Sequence, residues 1–350
     1  MSGGIHVFLG PSLPLAEAQA RLAASYHPPV AQGDLCELIV DQAPAVVAIV
    51  DGYFEQVPAV WHKEILYALS RGVRVYGASS MGAIRAAELA AFGMQGVGAV
   101  FAAFASGEYE DDDEVAIVHG PAASGFRPLS EAMVNLRAGL ARAESRGVIA
   151  AATHRALLAA AKALFYADRS WLALRDAARA LDLPMTEVEA LLAFVSREPP
   201  DVKREDAIAL LDHLAANAAA PPSAPPFEFE PTANWEKLLV HVERVRHEKR
   251  LRAGTGPAGG DAAGAAGEDA GLRDDSLLLL LAAREARRIG LPPGAPAPGL
   301  DELVRLEGCC AALRAHYDDE IVPFRTLARQ RRDGGPAGRP ARRSGGRPES

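Results

Sequence analysis

VRVYGASSMGAIRAAEL, residues 73–89, joins a strand-forming segment directly to a helix-forming one. Valine and tyrosine at its start favour a buried strand over residues 73–79. From Ser80 onward the alanine-rich sequence favours a helix, and Gly93 is the kind of residue that commonly ends one. A strand that runs at once into a helix is the repeating element of parallel α/β sheets.

Two further strand-and-helix units precede this junction in the first third of the chain. Strands are predicted over residues 5–10 and 45–52, and helices over 14–26, 33–42 and 58–72. Short strands that alternate with helices of this length indicate βαβ units. We therefore expect an α/β protein whose N-terminal part, residues 1–126, is a Rossmann-like parallel-sheet core that carries the candidate active site.

The C-terminal half is predicted to be largely helical, with a break in its composition. Residues 127–251 carry successive helical patterns and should pack on the core. Residues 252–273 are rich in glycine and alanine without apolar periodicity, which is typical of a flexible linker. A further helical segment is expected over 274–329, and the basic, Gly/Pro-rich residues 330–350 are expected to be disordered.

The composition is that of a globular protein with a mild acidic excess. The 350 residues include 37 Lys and Arg against 45 Asp and Glu, a net charge of −8, which argues against a nucleic-acid partner. The N-terminus lacks the pattern of a signal peptide, and the longest apolar run, residues 277–283, is too short to span a bilayer. We expect a cytoplasmic protein with no membrane partner. Cys36, Cys309 and Cys310 lack metal-ligand spacing, and we expect neither a metal nor a cofactor.

Polar side chains follow each of the three predicted strands. In right-handed βαβ units the carboxyl ends of the strands share one edge with the first turns of the helices, and ligands of open α/β sheets bind there. This rule gathers Ser12 after the first strand, Asp51 after the second, and Ser79 and Ser80 after the third. The sequence therefore predicts a ligand site at this edge, although ordinary helix capping also explains Ser12.

The serine junction approximates a nucleophile elbow. Residues 78–82, A-S-S-M-G, match the G-x-S-x-G pattern except that alanine replaces the first glycine. Ser80 is the candidate nucleophile, and the first amides of the helix, at Met81 and Gly82, would face an oxyanion. Two alternatives remain open: the serine only caps the helix, or the neighbouring Ser79 is the nucleophile.

Lys63 is the candidate general base. It falls in the second turn of the predicted helix 58–72, and helical side chains lean towards the helix N-terminus, which brings this one towards the same edge. The field of the helix terminus and burial both favour an uncharged amine, the form that a base requires. A solvated surface lysine is the alternative. Arg85 is a candidate for binding an anionic substrate.

An acidic segment, GEYEDDDEVAIVHG at residues 107–120, ends near His119. Its carboxylates suit a hard metal ion or a basic partner surface, and a solvated acidic loop is the third interpretation. We expect no metal there, and we place His119 among the candidate substrate-binding residues.

The same residues carry a family resemblance. Residues 51–98, DGYFEQV through MQGVG, strongly resemble the TfuA-like family, as do residues 107–120 and the stretch FRPLSEAMVNLR at 126–137. The resemblance extends over roughly residues 5–170. The fold of that family is regarded as distinctive, so the Rossmann-like description applies to its α/β core.

The resemblance implies a partner of YcaO-type enzymes, which form backbone thioamides on ribosomally made peptides and proteins, including natural products. The implied activity is hydrolysis of a thiocarboxylated, ThiS-like sulfur-carrier protein, which releases sulfide for the sulfur transfer. Such a protein also helps the YcaO enzyme to engage its precursor peptide. A Ser–Lys pair is proposed for the hydrolysis in that family, and we match it to Ser80 and Lys63.

Residues and resemblance together predict a TfuA-like hydrolase in which neutral Lys63 accepts the proton of Ser80 as the hydroxyl attacks the thioacid carbonyl. The alternative of another class is a non-catalytic docking or activator protein for the YcaO-type enzyme. A serine hydrolase of small esters is a third hypothesis, and the sequence offers it no convincing His–Asp pair.

Overall fold

The computed structural model describes residues 4–54, 57–217 and 227–254. Within them a parallel sheet of five strands has the order β2-β1-β3-β4-β5. The strands are β1 (Ile5–Phe8), β2 (Ser25–His27), β3 (Val46–Ile49), β4 (Arg74–Ala78) and β5 (Gln95–Val97). This is a common order of doubly wound α/β proteins, and its switch point lies between β1 and β3. The predicted α/β class with a parallel-sheet core is confirmed.

Helices connect the strands and continue through the C-terminal part of the described chain. They are α1 (Leu15–Arg21), α2 (Asp34–Gln42), α3 (His62–Ser70), α4 (Met81–Leu89), α5 (Ala99–Ser106), α6 (Met133–Ser145), α7 (Ala151–Ala163), α8 (Trp171–Ala180), α9 (Met185–Arg197), α10 (Val202–Asn217) and α11 (Ala233–Gly254). The largely helical character of the sequence after residue 127 is thus confirmed for the described residues.

Apolar residues cover both faces of the sheet, since all four residues of β3 are buried. On one face Val47 and Ile49 pack against α2, α3 and α4. On the other face Val46 and Ala48 pack against α1 and α10. A helix from the C-terminal half, α10, therefore completes the core around the sheet, while α6 to α9 pack around a separate apolar cluster.

The start of α4 lies directly against the backbone of the sheet. A Cβ atom on Gly82 would lie 1.7 Å from the carbonyl oxygen of Ile49, and one on Gly77 would lie 2.0 Å from the carbonyl oxygen of Gly82. The Gly82 N–H donates to the carbonyl oxygen of Val50 at 3.3 Å. Only glycine permits this approach, which holds the turn after β4 at the carboxyl edge.

Two strands were not expected from the sequence. The helix predicted over 14–26 ends at Arg21, because the chain becomes extended at Leu22. Tyr26, which was expected to be helical, belongs instead to β2 and pairs with Val7 of β1. β5 is only Gln-Gly-Val, which has little strand propensity and becomes a strand by pairing with β4.

The helix predicted over 58–72 begins later than expected, at His62. Trp61 is extended and serves as its N-cap, with the Glu64 side chain accepting from the Trp61 N–H at 3.1 Å. Lys63 consequently lies in the first turn of α3, not in the second.

The first residues of the linker predicted over 252–273 belong instead to α11, which continues to Gly254. The rest of that linker, the helical segment 274–329, the tail 330–350, Cys309 and Cys310 lie outside the described residues. Among the helices of 4–54, 57–217 and 227–254, none is long and apolar enough to cross a membrane.

Candidate active site

Asp51 and Ser12 meet at the switch point of the sheet, as predicted. Asp51 is 1% exposed and follows β3. Its Oδ1 accepts the Ser12 hydroxyl at 2.6 Å, and its Oδ2 accepts the N–H groups of Gly10 at 2.9 Å and Ser12 at 3.1 Å. The Ser12 side chain is therefore engaged by Asp51 and fixes that carboxylate in place.

Ser79 forms a strained turn between β4 and α4. Its φ is +69°, and the Ser80 N–H donates to the Ala78 carbonyl at 2.7 Å, which defines a γ-turn of the strained, positive-φ type. The Ser79 hydroxyl is fully buried and has no hydrogen-bond partner in the described structure. Such strain is concentrated at functional sites, because the surrounding structure has to hold it.

Ser80 follows the strained turn and lines a cavity. It is the N-cap residue of α4, yet its hydroxyl makes no capping hydrogen bond. The first amide of the helix, on Met81, likewise finds no acceptor within the described residues. The helix-capping explanation for Ser80 is thus not what the structure shows, and its hydroxyl is available to the cavity.

The cavity is narrow, about 20 Å³, so only a slender terminal group reaches Ser80 unless the walls move. Asp51 and His119 line it, as does Lys203 from the first turn of α10. Its other lining residues are Pro11, Gly52, Tyr53, Phe54, Val115, Ile117, Val118 and Tyr166. The structure therefore unites Ser80, Asp51 and His119 from the sequence-based prediction with a lysine that the sequence did not single out.

Lys203 is 3% exposed and donates from Nζ to the carbonyl oxygen of Val115 at 2.9 Å. Burial lowers the pKa of its amine, against the opposing attraction of the Asp51, Asp201 and Glu131 carboxylates. A lysine near the start of a helix was a usable signal, because Lys63 was selected for its place in the second turn of a predicted helix and Lys203 lies in the first turn of α10. Tertiary packing determines which helix brings its first turn to the cavity of Ser80.

Lys63, the lysine predicted from the sequence, lies outside the lining of the Ser80 cavity. Its Nζ lies 4.8 Å from the ring centroid of Phe229, a cation–π contact, and the residue is half-buried on α3. The contact places its amine beside the aromatic cluster of Tyr67, Phe229 and Trp235.

Arg85 lies on α4 and is held by two neighbouring groups. Its Nε donates to the carbonyl oxygen of Val60 at 3.1 Å, and its Nη1 lies 2.6 Å from Glu88. The pKa of the Glu88 carboxyl is lowered, since hydrogen bonds to His62 and Arg85 outweigh its burial. Arg85 does not line the cavity.

His119 lies at the cavity on a short hairpin. It pairs with Pro128 as an isolated antiparallel bridge, and the Gly120 N–H donates to the carbonyl oxygen of Arg127 at 2.9 Å. The His119 Nδ1 lies 2.8 Å from the Gly120 carbonyl oxygen.

Part of the acidic segment is paired with basic side chains of the protein itself. Lys162 Nζ lies 2.9 Å from Glu114 and 3.0 Å from Asp111 and also pairs with Asp113. Arg137 pairs with Glu114 at 2.8 Å. In the described part of the chain, no group of three His, Cys, Asp or Glu residues is arranged to hold a metal ion. These carboxylates therefore connect the segment to α6 and α7.

The fold and the site define a doubly wound α/β protein with a serine, a lysine and a histidine in one cavity at the carboxyl edge of its sheet. Residues 51–170 match the model of the family described as TfuA-like protein, which confirms the resemblance found in the sequence. The match covers 120 of the 350 residues, includes Ser80 and His119, and ends before Lys203. No curated protein matches the chain.

Proposed function

We propose that this protein is a hydrolase that releases sulfide from a thiocarboxylated, ThiS-like carrier protein for a YcaO-type enzyme, with Ser80 as nucleophile and Lys203 as base. The observation that carries the proposal is that both side chains line one narrow cavity at the carboxyl edge of the sheet. The substrate class and the pairing of a serine with a lysine come from the TfuA-like resemblance. The choice of Lys203 as that lysine rests on its place in the cavity of Ser80.

The first step forms an ester and breaks a carbon–sulfur bond. Neutral Lys203 takes the hydroxyl proton of Ser80 as Oγ attacks the carbonyl carbon of the thioacid. The carbon–sulfur bond then breaks, the sulfur of the ionised thiocarboxylate takes this proton from the Lys203 ammonium, and hydrosulfide (HS⁻) leaves. The products are an acyl ester on Ser80 and a lysine that is again neutral.

The surroundings of Lys203 support both of its protonation states. Burial lowers its pKa, so the amine is more readily neutral before the attack. The carboxylates of Asp51, Asp201 and Glu131 act in the opposite direction and stabilise the ammonium that forms during it. Asp51 is itself held by three hydrogen bonds from Gly10 and Ser12.

The start of α4 supports the negative charge that develops on the carbonyl oxygen. α4 has nine residues, and the N-terminus of a helix carries a partial positive charge. The Met81 N–H follows the nucleophile directly, as in other strand–turn–helix elbows, and has no acceptor within the described residues. We assign it to the oxyanion.

The experiment compares sulfide release from a thiocarboxylated carrier protein by the wild-type chain and three variants. We expect Ser80→Ala and Lys203→Met to lower the rate by about 100-fold or more, the usual contribution of a nucleophile or a general base. Lys63→Met should retain most of the activity, because its amine contacts Phe229. Melting temperatures show whether each variant is folded.

Each alternative predicts a different pattern. Loss of release in Lys63→Met but not in Lys203→Met would restore the pairing of Ser80 with Lys63. Release that is unchanged in Ser80→Ala would favour the docking or activator role. In that case the protein should still increase thioamide formation by the YcaO-type enzyme when sulfide is supplied directly.

A further inference from the structure

The cavity contains a second group that can accept a proton. His119 lies on the segment 115–119, which forms one wall of the cavity. Val115, at the inner end, is fully buried and accepts the hydrogen bond of Lys203, whereas His119, at the outer end, is partly exposed. The two proton acceptors therefore lie at opposite ends of one wall, with His119 on the side that water can reach.

The position of the His119 proton follows from its hydrogen bond. A carbonyl oxygen only accepts, so the Nδ1 atom that lies 2.8 Å from the Gly120 oxygen must carry a hydrogen. In the neutral ring Nε2 is then unprotonated. No partner of Nε2 is found in the described residues, so its lone pair is free to accept a proton.

The His119 ring is also held in place by aromatic neighbours. Its centroid lies 6.0 Å from that of Tyr53 and 5.6 Å from that of Phe126. A ring fixed by one hydrogen bond and two aromatic contacts presents its free nitrogen in a defined direction, which is what general-base catalysis requires.

We propose that His119 is the general base for the second half of the reaction, the hydrolysis of the ester on Ser80; this inference rests on the proposed function. His119 Nε2 takes a proton from water as the water oxygen attacks the ester carbonyl. The bond between the acyl carbon and Ser80 Oγ then breaks, and Oγ takes the proton from the imidazolium. The products are a carboxylic acid and the free serine.

Lys203 and His119 are assigned to different steps for a physical reason. The Lys203 amine is deeply buried and donates to Val115. Its proposed partner, the Ser80 hydroxyl, is part of the protein and lines the same cavity, so this step needs no group from solvent. The attacking water has to enter from solvent, and His119 lies at the exposed end of the wall. His119 is therefore placed for the step that consumes water.

The test uses the full chain and a synthetic peptide with a C-terminal thiocarboxylate. His119→Asn is the informative variant, because the asparagine amide can still donate to the Gly120 oxygen while the Nε2 base is lost. We expect a first turnover of sulfide release at the wild-type rate, followed by turnover that is at least about 10-fold slower. Mass spectrometry should show the acyl ester accumulating on the peptide that contains Ser80.

Two further measurements distinguish a base from a structural residue. Free imidazole should increase turnover in His119→Gly and should not do so in wild type. His154→Asn is the control and should behave as wild type. In the wild-type protein His154, on α7, pairs with Glu144 on α6 and does not line the cavity. Wild-type turnover in His119→Asn, or slow turnover without ester accumulation, would overturn the role of His119. Release that persists in Ser80→Ala would instead overturn the proposed function itself.

Discussion

The Ser12 hydroxyl donates to Oδ1 of Asp51 at 2.6 Å, and this bond joins the chain after β1 to the chain after β3 across the switch point of the sheet. The other carboxylate oxygen accepts two backbone N–H groups from the same loop. Asp51 lines the Ser80 cavity and acts electrostatically on Lys203. The loop after β1 thus fixes the position of a carboxylate that acts on the charge of the proposed base, Lys203.

Ser12→Ala should lower the free energy of unfolding by about 1–3 kcal/mol, since it removes a buried hydrogen bond to a charged group. Urea denaturation measures the change. Ser145→Ala is a matched control, because the Ser145 hydroxyl is exposed and bonds a backbone carbonyl at 2.9 Å. Its effect should stay within about 0.5 kcal/mol. Equal effects of the two substitutions would contradict a special role for the Ser12–Asp51 bond.

Gly82→Ala should be destabilising by about 3 kcal/mol or more, because the added methyl group would lie 1.7 Å from the Ile49 carbonyl oxygen, and a strand backbone cannot easily move. Gly4→Ala is the control, since a Cβ atom there meets the His6 ring at an ordinary 3.6 Å. Denaturant midpoints of the two variants provide the comparison. A folded Gly82→Ala protein of wild-type stability would show that α4 is not held against β3 as described.

Ser79→Gly should stabilise the fold by roughly 1 kcal/mol, because glycine adopts a φ of +69° without strain and the substitution removes a buried hydroxyl that has no partner. Ser79→Val should destabilise it, since a β-branched residue is disfavoured at positive φ. Thermal unfolding measures both. Sulfide release by Ser79→Ala also tests whether Ser79 is the nucleophile: we expect that variant to remain active.

Glu64 should make stability fall as the pH rises. Its carboxylate is fully buried and accepts the N–H groups of Gly33 at 2.9 Å, Trp61 at 3.1 Å and Cys36 at 3.3 Å, and burial raises its pKa to about 7. Between the unfolded pKa of about 4.5 and the folded one of about 7 the native state binds more protons than the unfolded chain. The contribution of Glu64 to stability is therefore greatest below the unfolded pKa and declines across this interval.

Glu64→Gln measures that contribution. The variant should lose the part of the pH dependence that belongs to residue 64, and it should be less stable overall because the amide nitrogen of glutamine cannot accept the backbone N–H groups. Urea denaturation of both proteins at pH 5 and pH 7.5 measures how the free energy of unfolding changes with pH. The contributions of the other carboxyls cancel when the two changes are subtracted. If the free energy of unfolding changed by the same amount with pH in the two proteins, the raised pKa of Glu64 would be contradicted.

Much of the core was predictable because its signals are local. The β-branched residues of β3 and β4 and the abrupt change at Ser80 identify a parallel sheet and its carboxyl edge without any knowledge of packing. The meeting of Ser12 with Asp51 follows from the same rule. β2 and β5 were missed because their three residues each become strands only by pairing with β1 and β4.

The sequence alone determined the class of the fold, the edge of the sheet at which Ser12 and Asp51 meet, and the TfuA-like character of residues 51–170, since each follows from local sequence patterns. Only the tertiary structure decided which lysine lines the cavity of Ser80. Lys203 is 123 residues away along the chain and reaches the cavity because α10 packs on the sheet, whereas Lys63, much nearer in sequence, contacts Phe229. A first-turn lysine looks the same in either helix, and the packing of the helix alone determines what its amine meets.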